Sequence, residues 1–111
     1  MPASSVVNVM LLPKINNPVP ESPKKPELES FNGLHGKENI ITWNQVKQGN
    51  IMTYEVWFSE DNNEFKKINP SYFFDNAYIH ALDHKTKTGY YKVRAIDFQN
   101  RKGAFSHVIS F

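Results

Sequence analysis

Four histidines are the side chains here best suited to metal or acid–base chemistry, and their spacing decides what they can do. His80 and His84 stand four apart, a spacing that places two zinc ligands on one face of a helix. The polar run DHKTKTG (83–89) is a turn, and it takes His84 off any helix. His35 and His107 are isolated in the sequence. All four read as structural or solvent-exposed histidines, and no metal or other cofactor is expected. The chain has no cysteine, which excludes thiolate metal sites, thiol nucleophiles and disulfides.

The carboxylates give an equally plain reading. Glu60, Asp61 and Glu64 cluster with Asn62 and Asn63, and such oxygen ligands suit calcium. The cluster lacks the spacing and the glycine of an EF-hand, so a solvated turn is expected. Glycoside cleavage needs two carboxyls about 5–10 Å apart across a cleft. Glu55, Asp75, Asp83 and Asp97 supply the number, but a small domain with a filled core offers no deep cleft. Ser-His-Asp catalysis fails for want of a Gly-x-Ser-x-Gly elbow. The chain reads as non-catalytic.

Aromatic residues are the surplus that calls for a use. Trp57 is out of phase with Tyr54, Val56 and Phe58 on its own strand. Tyr72, Phe73 and Phe74 are adjacent in a loop beside Pro70, where three consecutive rings cannot all point inward. Exposed rings stack on sugars or anchor a partner protein. The competing reading is that they cap the edge of the fold or cover its outer sheet.

The elements that must position these residues are strands. TGYYKVRAID (88–97) alternates, with Tyr91, Val93 and Ala95 on one face and Lys92 and Arg94 on the other. IITW places Ile41 and Trp43 inward, within a strand expected over 39–44. MTYEVWF (52–58) places Met52, Tyr54, Val56 and Phe58 inward and Glu55 and Trp57 outward. Leu28 and Phe31 mark a short first strand, followed by an Asn32-Gly33 turn. Residues 64–68 around Phe65 make a short fourth strand, broken by Asn69-Pro70, and 77–82 a fifth. Phe105, Ile109 and Phe111 are expected on one face of a last strand, after a 99–103 hairpin loop. Seven short strands with turn signals between them imply an antiparallel β-sandwich. No segment sustains a 3.6-residue period.

Composition adds exclusions. The 111 residues carry a net charge of +2, and the excess sits in the first 26 residues, where Lys14, Lys24 and Lys25 outnumber Glu21. The remaining body is neutral, against a nucleic-acid footprint. No stretch is long enough to span a membrane, and VVNVMLL (6–12) is too short and wrongly flanked for a signal peptide. Pro13, Pro18, Pro20, Pro23 and Pro26 make residues 1–26 a stiff polyproline-like linker, or the remnant of a preceding domain. The sandwich is expected over 27–111.

Four motifs in order, ITW (41–43), YEVWF (54–58), YYKVRAID (90–97) and GAFSHVISF (103–111), resemble a fibronectin type III domain. The resemblance covers 27–111 and implies an immunoglobulin-like pair of antiparallel sheets, three strands on one and four on the other. One feature departs: six residues before Ala95, where the family usually carries a corner tyrosine, stands Gly89, so either Tyr90 takes over that role with a shifted turn or the corner is missing. LLPKI (11–15) and the proline-rich link into such a domain resemble the end of certain bacterial envelope glycoside hydrolases, whose catalytic barrel lies upstream. The resemblance implies an accessory spacer or docking module of a larger secreted or envelope-attached enzyme, cut from a longer chain. Its partner would be the neighbouring domain of the same polypeptide, with Trp57, Tyr72, Phe73 and Phe74 as the candidate surface. The alternative is a carbohydrate-binding module that holds a polysaccharide on the aromatic loop.

Overall fold

The structure, a computed structural model, describes residues 18–34, 36–47 and 50–111. VVNVMLL, His35 and Gly49 lie outside the described residues. The strands are β1 (Glu27–Gly33), β2 (Gly36–Thr42), β3 (Ile51–Ser59), β4 (Lys66–Lys67), β5 (Ala77–Ala81), β6 (Tyr90–Asp97) and β7 (Ile109–Ser110). One sheet runs β1-β2-β5 and the other β4-β3-β6-β7, every pairing antiparallel. This is the antiparallel sandwich expected from the strand pattern, with the three-plus-four division that the fibronectin type III resemblance implies.

Alternation builds the core. Tyr54 and Val56 of β3, Tyr91, Val93 and Ala95 of β6 and Ile109 of β7 pack against Ile41 of β2, with Trp43 and Val46 beyond its end. Burying one such side chain fully is worth about 1.5–3 kcal/mol. Trp43 sits just beyond β2, which ends one residue before it. Its backbone N–H donates to the Asn76 carbonyl at 3.0 Å, and its ring lies 5.8 Å from Tyr54.

Four details differ from simple alternation. Met52 bulges out of β3, because Ile51 opposes Asp97 while Thr53 opposes Ile96. The extra residue shifts the phase, so Ile51 rather than Met52 packs on the core. β4 is only two residues, because the Asn69 side chain replaces a strand backbone. Its amide accepts from Val56 N–H at 2.9 Å and donates to the Tyr54 carbonyl at 2.8 Å. Phe105 does not share a face with Ile109. Ser106 turns inward, donates its backbone N–H to the Val93 carbonyl at 2.7 Å and accepts from Val93 N–H at 3.0 Å, which leaves Phe105 facing out. At Gly89 a Cβ would collide with the Phe58 ring, so no tyrosine fits there.

Residues 18–26 are extended and add no strand. Pro20, Pro23 and Pro26 are buried while the residues between them are exposed. Every third residue on one side is the repeat of polyproline II. The segment is pinned by Lys24 N–H, which donates to Asn44 Oδ1 at 2.6 Å, and by Pro20, which lies over Gly103. The chain therefore enters along the proximal end of the sandwich, where β1 and β3 begin and β2 and β6 end. Phe111 and the β1–β2 hairpin mark the distal end.

Candidate docking surface

The outer face of the four-stranded sheet carries Trp57, as its phase in β3 predicts. The ring meets Phe105 edge-on at 6.0 Å and lies 5.5 Å from the Arg94 guanidinium. Lys92 Nζ stands 4.2 Å from the Phe65 ring centre and 4.1 Å from that of Phe105, and the Arg94 guanidinium 4.5 Å from Phe105. Rings and cations alternate across the face, each covering its neighbour. Arg94 also pairs with Glu55 at 2.8 Å, and the Trp57 indole N–H donates to the same carboxylate oxygen at 3.0 Å. Burial opposes ionisation of Glu55. The hydrogen bonds from Trp57 and Arg94, with the charges of Arg94 and Lys67, outweigh it and hold the carboxyl below its ordinary value. This face is knitted to itself.

The loop over residues 70–76 splits its three rings. Phe73 turns inward, 6.5 Å from the Trp43 ring and 5.7 Å from Tyr78. Its backbone is clamped from both sides: its N–H donates to Thr53 Oγ1 at 2.6 Å and its carbonyl accepts from Tyr54 N–H at 2.8 Å. Tyr72, at φ 57, occupies the left-handed region, and its side chain is 69% exposed. Phe74 is 57% exposed. Of the four sequence candidates, Tyr72 and Phe74 are therefore open to solvent, Trp57 is half covered by its own sheet, and Phe73 belongs to the core.

His80, Asp61, Asp83 and Asp97 are held in structural roles. His80 Nδ1 lies 2.7 Å from the Tyr91 hydroxyl, which accepts from Asn39 Nδ2 at 3.0 Å; Asn39 Oδ1 accepts from Ser30 at 2.6 Å. Burial lowers the His80 pKa below its ordinary value and pushes Tyr91 up to about 12. His84 and His107 are exposed. Asp61 accepts from the Ser59 hydroxyl and the N–H groups of Asn63 and Glu64, the geometry of a self-capped turn. Asp83 does the same for Lys85 and Thr86. Asp97 is fully buried; it accepts from the N–H groups of Gln99 and Arg101 and pairs with the Arg101 guanidinium at 2.8 Å. An open groove of about 760 Å³ runs between Phe58, Phe65 and His80 at the distal end.

Sequence reasoning missed Phe98, which is 66% exposed. It follows Asp97, and its N–H donates to the Asn50 carbonyl at 3.0 Å, which fixes it at the proximal end. The available signal was an aromatic residue placed directly before the turn QNRKG, where no core position remains.

The comparisons with known proteins converge on one family. The family described as Alpha-L-iduronidase C-terminal domain matches residues 32–111. Alpha-L-iduronidase of Mus musculus is 29% identical over 96% of this chain, which spans 17% of that protein. The human counterpart is 30% identical over 65% of the chain and 11% of its own length. A crystal structure of a bacterial orthologue of human alpha-L-iduronidase superposes with a TM-score of 0.70 at 24% identity, covering 89% of this chain and 16% of that one. An Fn3-like protein from Clostridium thermocellum superposes with a TM-score of 0.64 at 18% identity, over 84% of this chain and 92% of that one. The fold is that of a fibronectin type III domain, and the chain belongs to the family of alpha-L-iduronidase C-terminal domains.

Proposed function

We propose that this domain is a non-catalytic docking module of a larger glycoside hydrolase, seated against the catalytic domain that precedes it. The observation that carries the reading is the match of residues 32–111 to a family named as a C-terminal domain, in a chain that spans 17% of its mouse relative. Its own carboxylates support it: Glu55, Asp83 and Asp97 hold an ion pair, a turn and a loop, with none left as a matched pair across a cleft. The parent enzyme is, on this reading, bacterial and secreted or held at the cell envelope. Fractionation of the source cells tests that placement, and a cytoplasmic protein overturns it.

The docking role is tested by nuclear magnetic resonance. Addition of the preceding domain should shift amides of the 70–76 loop or of Trp57, while soluble polysaccharide at millimolar sugar leaves the spectrum unchanged. The exposure of Tyr72 and Phe74 favours a second reading, a carbohydrate-binding module. Ser71, Asp75 and Asn76 flank the rings in sequence, and Glu55, Lys67 and Asn100 line a cavity with Tyr72. Saturable glycan shifts centred on Tyr72 to Phe74 would promote that second reading over the first.

A further inference from the structure

We infer that the preceding domain seats on the proximal end of the sandwich, with Tyr72 and Phe98 as its anchors, and not on the outer face that carries Trp57. The inference rests on the docking reading and narrows it to one surface. Three observations carry it.

First, the exposed rings of this end are held out by the backbone. Tyr72 is in the left-handed region at φ 57, a strained place for a bulky residue, while Phe73 beside it is clamped in the core. Phe98 is fixed through Asn50, and the loop beyond it turns through Asn100 at φ 64, with Asp97 accepting the Gln99 and Arg101 N–H groups. The two loops meet: Tyr72, Met52, Ile96 and Asn100 line one cavity of about 180 Å³. Large rings presented to solvent from a fixed backbone are what a docking anchor requires.

Second, the chain arrives here. Residues 18–26 run along this end, with Pro20 over Gly103 and the Pro18 carbonyl 3.4 Å from Arg101 Nη2. The family is a C-terminal domain, so the rest of a relative lies upstream and is tethered at this end. A short tether keeps its partner at high effective concentration near its own attachment point.

Third, the competing outer face of the four-stranded sheet is covered by its own cations. Trp57, Phe65 and Phe105 are covered by Lys92 and Arg94. On the outer side of the three-stranded sheet, Phe31 and Ile79 are exposed. Phe31 is paired with Glu38, and Ile79 with Ile40, which is itself paired with Glu29.

Calorimetry of the full-length parent enzyme tests this, with Tyr72→Ser and Phe98→Ser combined, against Trp57→Ser and Ile79→Ser separately. Expected is a single coupled transition in the parent and in the two face variants. The proximal variant should split it in two, while the same double change leaves the melting temperature of this 111-residue chain unmoved. If a face variant splits the transition and the proximal variant does not, the inference is overturned and the docking reading stands. If the parent already melts in two independent transitions, both fail. A 111-residue chain that dimerises through Tyr72 and Phe98, with the coupled transition of the proximal variant intact, also overturns the inference in favour of a second copy.

Discussion

At the proximal end of the sandwich Trp43, Tyr54 and Phe73 meet ring against ring, whereas at the distal end the Tyr91 hydroxyl stands between Asn39 and His80. Rings pack at both ends, with Phe58, Tyr91 and Phe111 at the distal one, and the distal end adds a buried side-chain hydrogen-bond chain. Ring burial is non-directional and insensitive to pH. The buried polar chain Ser30–Asn39–Tyr91–His80 is directional, and each member left without its partner is penalised. The proximal end also presents rings outward, at Tyr72 and Phe98. Stability and recognition therefore divide between the ends in ways that substitutions can separate.

The strongest test of the contrast is Trp43→Ala. The side chain is 94% buried by its 6% exposure, and its indole N–H has no hydrogen-bond partner among the described residues. Trp43 therefore stabilises through ring burial, and its removal should cost about 3–5 kcal/mol, much of the stability of a small domain. Chemical denaturation measures this, and a variant that unfolds at the parent's midpoint would break the account of the proximal end. Next in size is Tyr91→Phe, which keeps the ring and deletes the hydroxyl. It leaves Asn39 Nδ2 and His80 Nδ1 without their shared partner and should cost about 1–3 kcal/mol. A neutral Tyr91→Phe would mean the distal chain does not hold that end.

How far these ends could be read from the sequence follows the same division. Alternation placed Trp43, Ile41, Tyr54, Val56, Tyr91, Val93 and Ala95 inward, because side-chain period is a local property of a strand. The distal network was not legible: Asn39 and His80 become neighbours of Tyr91 only when two sheets are stacked, and nothing in ENIITW or YIHAL announces it. The phase slips were not legible either. The Met52 bulge and the inward turn of Ser106 each insert one residue that alternation counts wrongly, which is why Phe105 was expected beside Ile109. In the aromatic loop, sequence required that some ring stay outside, but the choice of Phe73 as the inward one is made by Thr53 Oγ1 and the Tyr54 backbone.

A pH series sharpens the contrast further. Burial lowers the pKa of His80 in the folded chain, so the folded state refuses a proton that the unfolded chain takes up near pH 6.5. The stabilisation is complete above that pH and is lost as pH falls below it toward the folded value. The slope for one proton is at most about 1.4 kcal/mol per pH unit. Denaturation midpoints measured from pH 7.5 to 5 should fall in the parent and fall less in His80→Phe. Equal slopes in the two proteins would assign the acid sensitivity to other groups.

The smallest effect concerns the strip that leads into the proximal end. Pro20, Pro23 and Pro26 are buried against the sandwich without joining a ladder, so a chain beginning at Glu27 should stay folded and lose only on the order of 1 kcal/mol. Gly103 isolates the contact that matters. A Cβ there would run into the Pro20 carbonyl and the Pro20 ring, and would lie 3.1 Å from the Ala95 carbonyl. Two neighbours thus forbid a side chain, and they can be told apart because one is removable. If the strip is what requires glycine, Gly103→Ala should destabilise the full chain by about 1 kcal/mol and the chain from Glu27 by much less, a non-additive pair. Equal losses in both backgrounds would assign the clash to Ala95 within the sheet. Failure of the shortened chain to fold would make the proline strip part of the core and move the domain boundary upstream of Glu27.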